Sequence, residues 1–218
     1  MNNKIINKLD DFFEKFSFCR YKKGQILINA GEEPSGIFYL KNGTVRQYSL
    51  SKNGDEQTLT IYKPYSFFPL MHAINNIRNT YFFQATSDAE LYKAPQRETI
   101  RFLKEEPEVM YDLISRLYQG IEGLLSRIEY LMFGSAYEKV IFTLLNLSYR
   151  FGEENMSNLD VNLHITHKDI GSFSGLRKET ISREMAKLQR KKILENKNHL
   201  IIIKDMERLQ GELEGRVI

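Results

Sequence analysis

Residues 166–188, THKDIGSFSGLRKETISREMAKL, restrict what this chain can fold into more than any other stretch. They read as two short helices joined by a glycine-containing turn. Gly171, after Ile170, is small enough for a second helix to cross close by. Gly175 sits where the chain must turn, and a residue without Cβ accepts dihedrals that others avoid. Leu176, Ile181, Met185 and Leu188 recur at helical spacing, which leaves Lys178, Glu179, Ser182 and Arg183 on the opposite face. Such a face suits reading base edges in a major groove. Arg bonds guanine O6 and N7, Glu accepts from cytosine N4, and Ser bonds either kind of partner. The competing reading is an ordinary helix pair with a solvated polar face.

Charge placement weighs against that plainer reading. A net charge of +3 over 218 residues does not single out a nucleic-acid partner. From Lys168 to Lys192, however, eight Lys and Arg residues stand against three acids, a local excess above that of the whole chain. Phosphate neutralisation requires this kind of clustering. The residues expected to face DNA are Thr166, Lys168, Arg177, Lys178, Glu179, Thr180, Ser182 and Arg183.

The single cysteine, Cys19, excludes an internal disulfide, a cysteine zinc site and a four-cysteine iron–sulfur cluster built within one chain. No apolar run reaches membrane-spanning length, and MNNKIINKLDDFF lacks a signal-peptide pattern. The chain is therefore read as cytoplasmic, with no membrane partner.

The pattern along the chain predicts an α+β protein. An amphipathic helix is expected over about Ile5 to Phe18. Between Tyr21 and Ala94 short β-rich runs alternate with glycine punctuation: QILINAG, GIFYLKNG, TVRQYSLSKNG, EQTLTIY, TYFFQAT and AELYKA. Asn42-Gly43 and Asn53-Gly54 mark tight turns. Many short strands with regular turns imply a small antiparallel barrel or jelly roll. Helical patterning starts near Pro95 and strengthens after Pro107. Ile114, Leu117, Ile121, Leu124, Ile128 and Leu131 alternate at spacings of three and four, a heptad seam. It can bury against the chain's own barrel or against a second copy, and its strictness favours a homodimer.

Phe133-Gly134-Ser135 breaks that helix and reads as a hinge. A helix over Ala136–Phe151, a GEENMSN loop and an LDVNLHIT strand follow. After the helix pair, ILENKNHLIIIK reads as a hairpin wing with Lys197, Asn198 and His199 near its tip, and a last helix starts near Asp205. The expected divisions are 1–106 for an effector-sensing barrel, 107–134 for a dimerisation helix and hinge, and 135–218 for a winged helix-turn-helix.

This order, together with GEEPSGIFYLKNGTV and KNGDE in the barrel, TLLNL after the hinge and GLRKETISRE in the second helix of the pair, resembles the cyclic-AMP receptor protein/FNR (Crp/Fnr) family of bacterial transcription regulators. The resemblance covers nearly the whole chain. ETISR, Glu179 to Arg183, is close to the FNR branch. It implies that Glu179 and Arg183 contact a C and a G of each half-site and that Ser182 contacts a T. Lys178 lies where the two named branches differ. Glu184 stands where the family usually has an apolar residue, a departure that Met185 could offset.

The sensor end departs further. The resemblance implies a phosphate-binding cassette with a Glu, and an Arg followed by Ser or Thr. Alignment of RNTYFFQA with it places Asn79 at the Arg position, Thr80 at the Ser/Thr position and Leu70 near the Glu position, with Arg78 one residue off. The adenine-contacting positions fall on Leu124 and Leu125. An anion needs charge-assisted donors. A pocket of Phe67, Phe68, Leu70, Met71, Arg78, Tyr81, Phe82, Leu124 and Leu125 instead suits a largely apolar effector of unknown identity, and cyclic-AMP dependence is not expected. The same aromatic residues could equally form plain barrel core. The alternative is a cyclic-nucleotide- or haem-dependent sensor on the same fold. His72 is the one histidine in the barrel region and reads as structural, and neither haem nor an iron–sulfur cluster is expected. His164 and His167, at the entry to the helix pair, read as capping or phosphate-side residues.

Catalysis in a cupin-like barrel would need clustered His and carboxylate ligands, and no nucleophile–base pair or phosphate loop is visible, so the chain is read as a non-enzyme. The expected partners are double-stranded DNA with an inverted-repeat site, a second copy of the chain, RNA polymerase and the effector.

Overall fold

The computed structural model describes residues 2–154, 160–197 and 200–213. The chain divides into two compact units, Met1–Gly120 and Ile121–Ile218.

In the first unit, α1 (Asn3–Phe13) precedes β1 (Ser17–Tyr21), β2 (Ile26–Ile28), β3 (Ile37–Asn42), β4 (Val45–Leu50), β5 (Glu56–Tyr62) and β6 (Phe67–Phe68). Then come α2 (Leu70–Asn75), β7 (Phe82–Ala85), β8 (Ala89–Ala94), α3 (Gln96–Glu105) and α4 (Pro107–Phe133), which runs across the boundary between the units. The strands form two antiparallel four-stranded sheets, ordered β1-β8-β3-β6 and β2-β7-β4-β5. Side chains from both inner faces build one core: Phe38, Leu40, Phe68, Ala89 and Leu91 from the first sheet, with Ile28, Val45, Phe83 and Ala85 from the second. This is the expected jelly roll.

The outer face of the first sheet is covered as well. Ile37, Tyr39, Phe67 and Ala94 pack against Ile5, Leu9 and Phe13 of α1, with Ala73, Leu103 and Val109 from the following helices. With both faces covered, β3 reads Ile-Phe-Tyr-Leu without alternation, and all four residues are buried. The Tyr39 hydroxyl donates to Asp10 of α1 at 2.8 Å. Lys4 and Lys8 of α1 pair with Glu108 at 2.8 and 3.0 Å, and Lys8 also reaches Glu106 at 2.6 Å.

Several boundaries differ from the sequence reading. The first helix stops at Phe13, and Phe18 belongs to β1, paired with Tyr92 of β8. The two-residue strand β6 and the helix α2 were not anticipated, because a single turn or a two-residue pair leaves no periodicity to detect. Asn53-Gly54 closes the β4–β5 hairpin. Asn42-Gly43 instead carries the chain from one sheet to the other, since β3 and β4 belong to different sheets.

In the second unit, α5 (Ala136–Phe151) is followed by β9 (Glu153–Glu154), β10 (Val161–Leu163), α6 (His167–Ser174), α7 (Lys178–Arg190), β11 (Leu194–Lys197), β12 (Leu200–Ile203) and α8 (Met206–Gly211). The break at residues 133–135 falls as expected. Gly134 is tight, since a Cβ there would lie 2.5 Å from the Tyr130 carbonyl oxygen. Ser135 then caps α5 in a reciprocal box with Glu138. The small sheet runs β11-β12-β10-β9, so the first two residues of the expected GEENMSN loop after Gly152 are strand. The wing pairs Lys197 with Leu200, and Asn198 and His199 lie outside the described residues. No helix among the described residues is long and apolar enough to cross a membrane.

Candidate nucleic-acid interface

Local rules shape the helix pair. Thr166 caps α6, its hydroxyl accepting from the Asp169 amide at 3.2 Å while Asp169 accepts from the Thr166 amide at 2.8 Å. Gly175 ends α6 in the left-handed region at φ 68°, its N–H returning to the Gly171 carbonyl at 2.8 Å. A Cβ on Gly171 would come within 2.9 Å of the Leu176 carbonyl oxygen and 3.3 Å of Ile181 Cδ1. Glycine is therefore what lets α7 lie against α6.

On α7, Ile181, Met185 and Leu188 are buried. Lys178, Glu179, Ser182 and Arg183 are exposed, on one face at spacings of three and four. Arg177, the N-cap, and Lys168 on α6 are exposed too, and Thr180 is half-buried. The Thr166 hydroxyl is engaged in its capping box. The helix-turn-helix thus brings together the side chains expected to meet DNA.

Glu184, which the sequence marks only as a departure, is 2% exposed. Burial works against its charge, yet ion pairs with Lys187 and Arg183 hold its carboxyl below the ordinary range. It accepts from Arg183 Nε at 3.0 Å. That bond engages Nε, and an Arg that reads a guanine edge does so with two N–H donors. Lys187 and Lys191 in turn lie 5.5 and 5.4 Å from the Tyr137 ring centre, and Lys191 pairs with Glu212, which ties α7 to α5 and to the chain after α8.

His167, expected as a capping or phosphate-side residue, makes two side-chain contacts. Its Nδ1 lies 3.1 Å from Ser182 Oγ and its Nε2 3.1 Å from Asn196 Nδ2 on β11. Burial and neighbouring Lys178 push it below the ordinary histidine range. No local pattern links residues 167, 182 and 196, so this contact was not legible. His164 is exposed.

The aromatic residues expected to line one effector cavity turn to different faces of the first unit. Phe67 joins the core beneath α1, and Phe68 joins the core between the sheets. Successive strand residues point to opposite faces, so these two neighbours cannot line the same wall. Leu70 packs against the cluster that holds Phe67, and Tyr81 against the one that holds Phe68. Phe82, on the other face of β7 from Phe83, stacks on Tyr48 at 5.1 Å between ring centres. Met71 is exposed. Leu124 and Leu125 belong to the second unit and are 48% and 61% exposed.

At the cassette position, Asn79 is buried and its amide is fully used. Its Nδ2 donates to the Asn29 and Tyr81 carbonyls, both at 2.9 Å, and its Oδ1 accepts from the Tyr81 amide at 3.2 Å. Nothing remains to donate to a phosphate. Arg78 is exposed, and a Cβ on Gly31 would lie 3.8 Å from its Nη2. His72 is buried with Nδ1 3.1 Å from the Ile77 carbonyl oxygen. One cysteine, half-buried Cys19, does not fit a four-cysteine cluster.

The expected dimer seam stands open in the single chain. Ile114, Leu117, Ile121, Leu124 and Ile128 are between 41% and 59% exposed. Leu131 alone of the six is half-buried. Val109 is the one residue of α4 that is buried.

A jelly roll joined in sequence to a winged helix-turn-helix, with a basic recognition helix turned outward, defines a DNA-binding transcription regulator. The comparisons agree: residues 18–106 match the cyclic nucleotide-binding domain and residues 138–212 the Crp-like helix-turn-helix domain. The fumarate and nitrate reduction regulatory protein of Yersinia pestis is 31% identical over 216 residues, 99% of this chain and 84% of that protein. A CRP/FNR-family transcriptional regulator from Thermus thermophilus, 24% identical, shares the fold with a TM-score of 0.76 over 92% of this chain and 100% of that one. The c-di-GMP responsive global regulator of Xanthomonas campestris, 14% identical, matches with a TM-score of 0.80 over 94% and 100%. The chain belongs to the Crp/Fnr family of transcription regulators.

Proposed function

We propose that this regulator works in the cytoplasm as a homodimer that reads an inverted repeat with half-sites resembling TTGA or TGTGA. We further propose that its effector is not cyclic AMP, and that it uses neither haem nor an iron–sulfur cluster. One observation carries the DNA-reading assignment: Lys178, Glu179, Ser182 and Arg183 face outward together on α7. A two-fold DNA site needs a two-fold protein, and the open seam of α4 supports that symmetry. RNA polymerase is the expected protein partner at the promoter.

The exclusion of cyclic AMP rests on Asn79, whose amide is spent on the Asn29 carbonyl and on the Tyr81 backbone. Arg78 is the exposed cation beside it and the residue to which an acidic group of a largely apolar effector would go. Selection from random duplexes, followed by footprinting, tests the DNA reading, and enrichment of an inverted repeat is expected. Isothermal titration tests the effector reading. Micromolar cyclic-AMP binding that is lost in Arg78→Ala would overturn it and restore the nucleotide-sensing alternative.

A further inference from the structure

We propose that His167 biases Ser182 towards hydrogen-bond donation and so weights which base atoms the recognition helix prefers at that position. This rests on the reading of Ser182 as a base-contacting residue. The imidazole spans three elements: it opens α6, meets Ser182 of α7 through Nδ1, and meets Asn196 of β11 through Nε2, each at 3.1 Å. An amide nitrogen only donates. Nε2 therefore accepts and carries no proton. A neutral imidazole holds its proton on the other nitrogen, so Nδ1–H donates to Ser182 Oγ.

The consequence falls on the serine. One of its oxygen's two lone pairs is engaged by the imidazole, an accepted bond polarises the O–H, and its one hydrogen is left for an outside partner. Three other helical hydroxyls of this unit are turned to their own helix backbone. Thr143 donates to the Lys139 carbonyl, Ser148 to Leu144 and Ser174 to Ile170, each at 2.7 Å. Among the described residues Ser182 makes no such bond. A free hydroxyl serves as donor or acceptor and discriminates poorly. Held by His167, it is a stronger donor than acceptor. It then favours acceptor edges such as thymine O4 or guanine O6 over the amino groups of cytosine and adenine. His167 is thus a positioning residue for specificity, acting through Ser182.

The test measures affinity of the full-length protein for four operators that differ only at the base pair read by Ser182. Ser182→Ala and His167→Leu should each flatten discrimination there by about three- to tenfold, and the double variant no further. His167→Asn, which keeps a donor where Nδ1 stood, should retain most of it. Uniform weakening on all four operators by His167→Leu, or a further loss in the double variant, would make His167 a phosphate-side contact and overturn the proposal. If Ser182→Ala flattens discrimination while His167→Leu does not, the proposal alone falls. If Ser182→Ala itself changes nothing, the Ser182 reading falls with it. Discrimination at the base pair read by Arg183 reports whether α7 is still seated. Its loss in both His167 variants would mark a purely structural residue and also overturn the proposal.

Discussion

On α7, the side chains that carry chemistry stand outward on one face and their apolar partners lie beneath. On β6 and β7, the aromatic residues of greatest interest turn to three different places. Phe67 faces the helices, Phe68 and Phe83 the sandwich, and Phe82 the Tyr48 side of the second sheet. A surface helix needs only its own period to present a reading face, so one segment is enough. A binding cavity needs a wall from several elements, and strand alternation deals neighbouring residues to opposite walls.

The contrast can be broken most sharply in the first unit. Phe68 is 1% exposed and stacks on Phe83 and Tyr62 at 5.3 and 4.5 Å between ring centres. If it is core, Phe68→Ala should cost about 3–5 kcal/mol of stability in urea unfolding. A loss under about 1 kcal/mol would return it to a ligand cavity. Next in size is the seam. Ile121→Asp with Ile128→Asp would bury unpaired charge in a dimer and should weaken self-association by roughly a hundredfold or more. Sedimentation showing an intact dimer would mean that α4 is not the interface.

The reading face comes third. Arg183→Ala should cost about 1–3 kcal/mol on the preferred operator and relax one G·C preference. Unchanged discrimination would leave α7 a plain solvated helix. The smallest expected effect lies in the first unit again, where Lys4 and Lys8 donate to Glu108 and hold its carboxyl down to about 2. A depressed carboxyl stabilises the fold fully above its ordinary value and loses that contribution as pH falls toward the folded one. Stability should therefore decline from about pH 4.5 toward pH 2, and Glu108→Gln should flatten that slope slightly without changing stability much at pH 7. An unaltered slope would separate the anchoring of α1 from these ion pairs.

Much of the architecture was legible because it rests on local chemistry. Gly175 announced the turn of the helix pair, Gly134 the helix break, and the alternating Ile and Leu positions the seam. Glu184 was visible only as an exception. Its partners Arg183 and Lys187 lie on the same helix, but that its carboxylate is buried depends on packing. Phe67 and Phe68 read as one aromatic cluster because β6 is two residues long and shows no alternation. His167, Ser182 and Asn196 are brought together by tertiary structure alone.

The uncovered stripe on α4 also bears on how much of this protein a cell must make. If the chain pairs through that open seam, as proposed, pairing stabilises it, and mass action makes that gain grow with copy number. Synthesis rate then sets both the number of chains and the share of them that is paired. Near the dissociation constant, halving expression would remove more than half of the active species, so the response of its promoters to gene dosage would be steeper than linear.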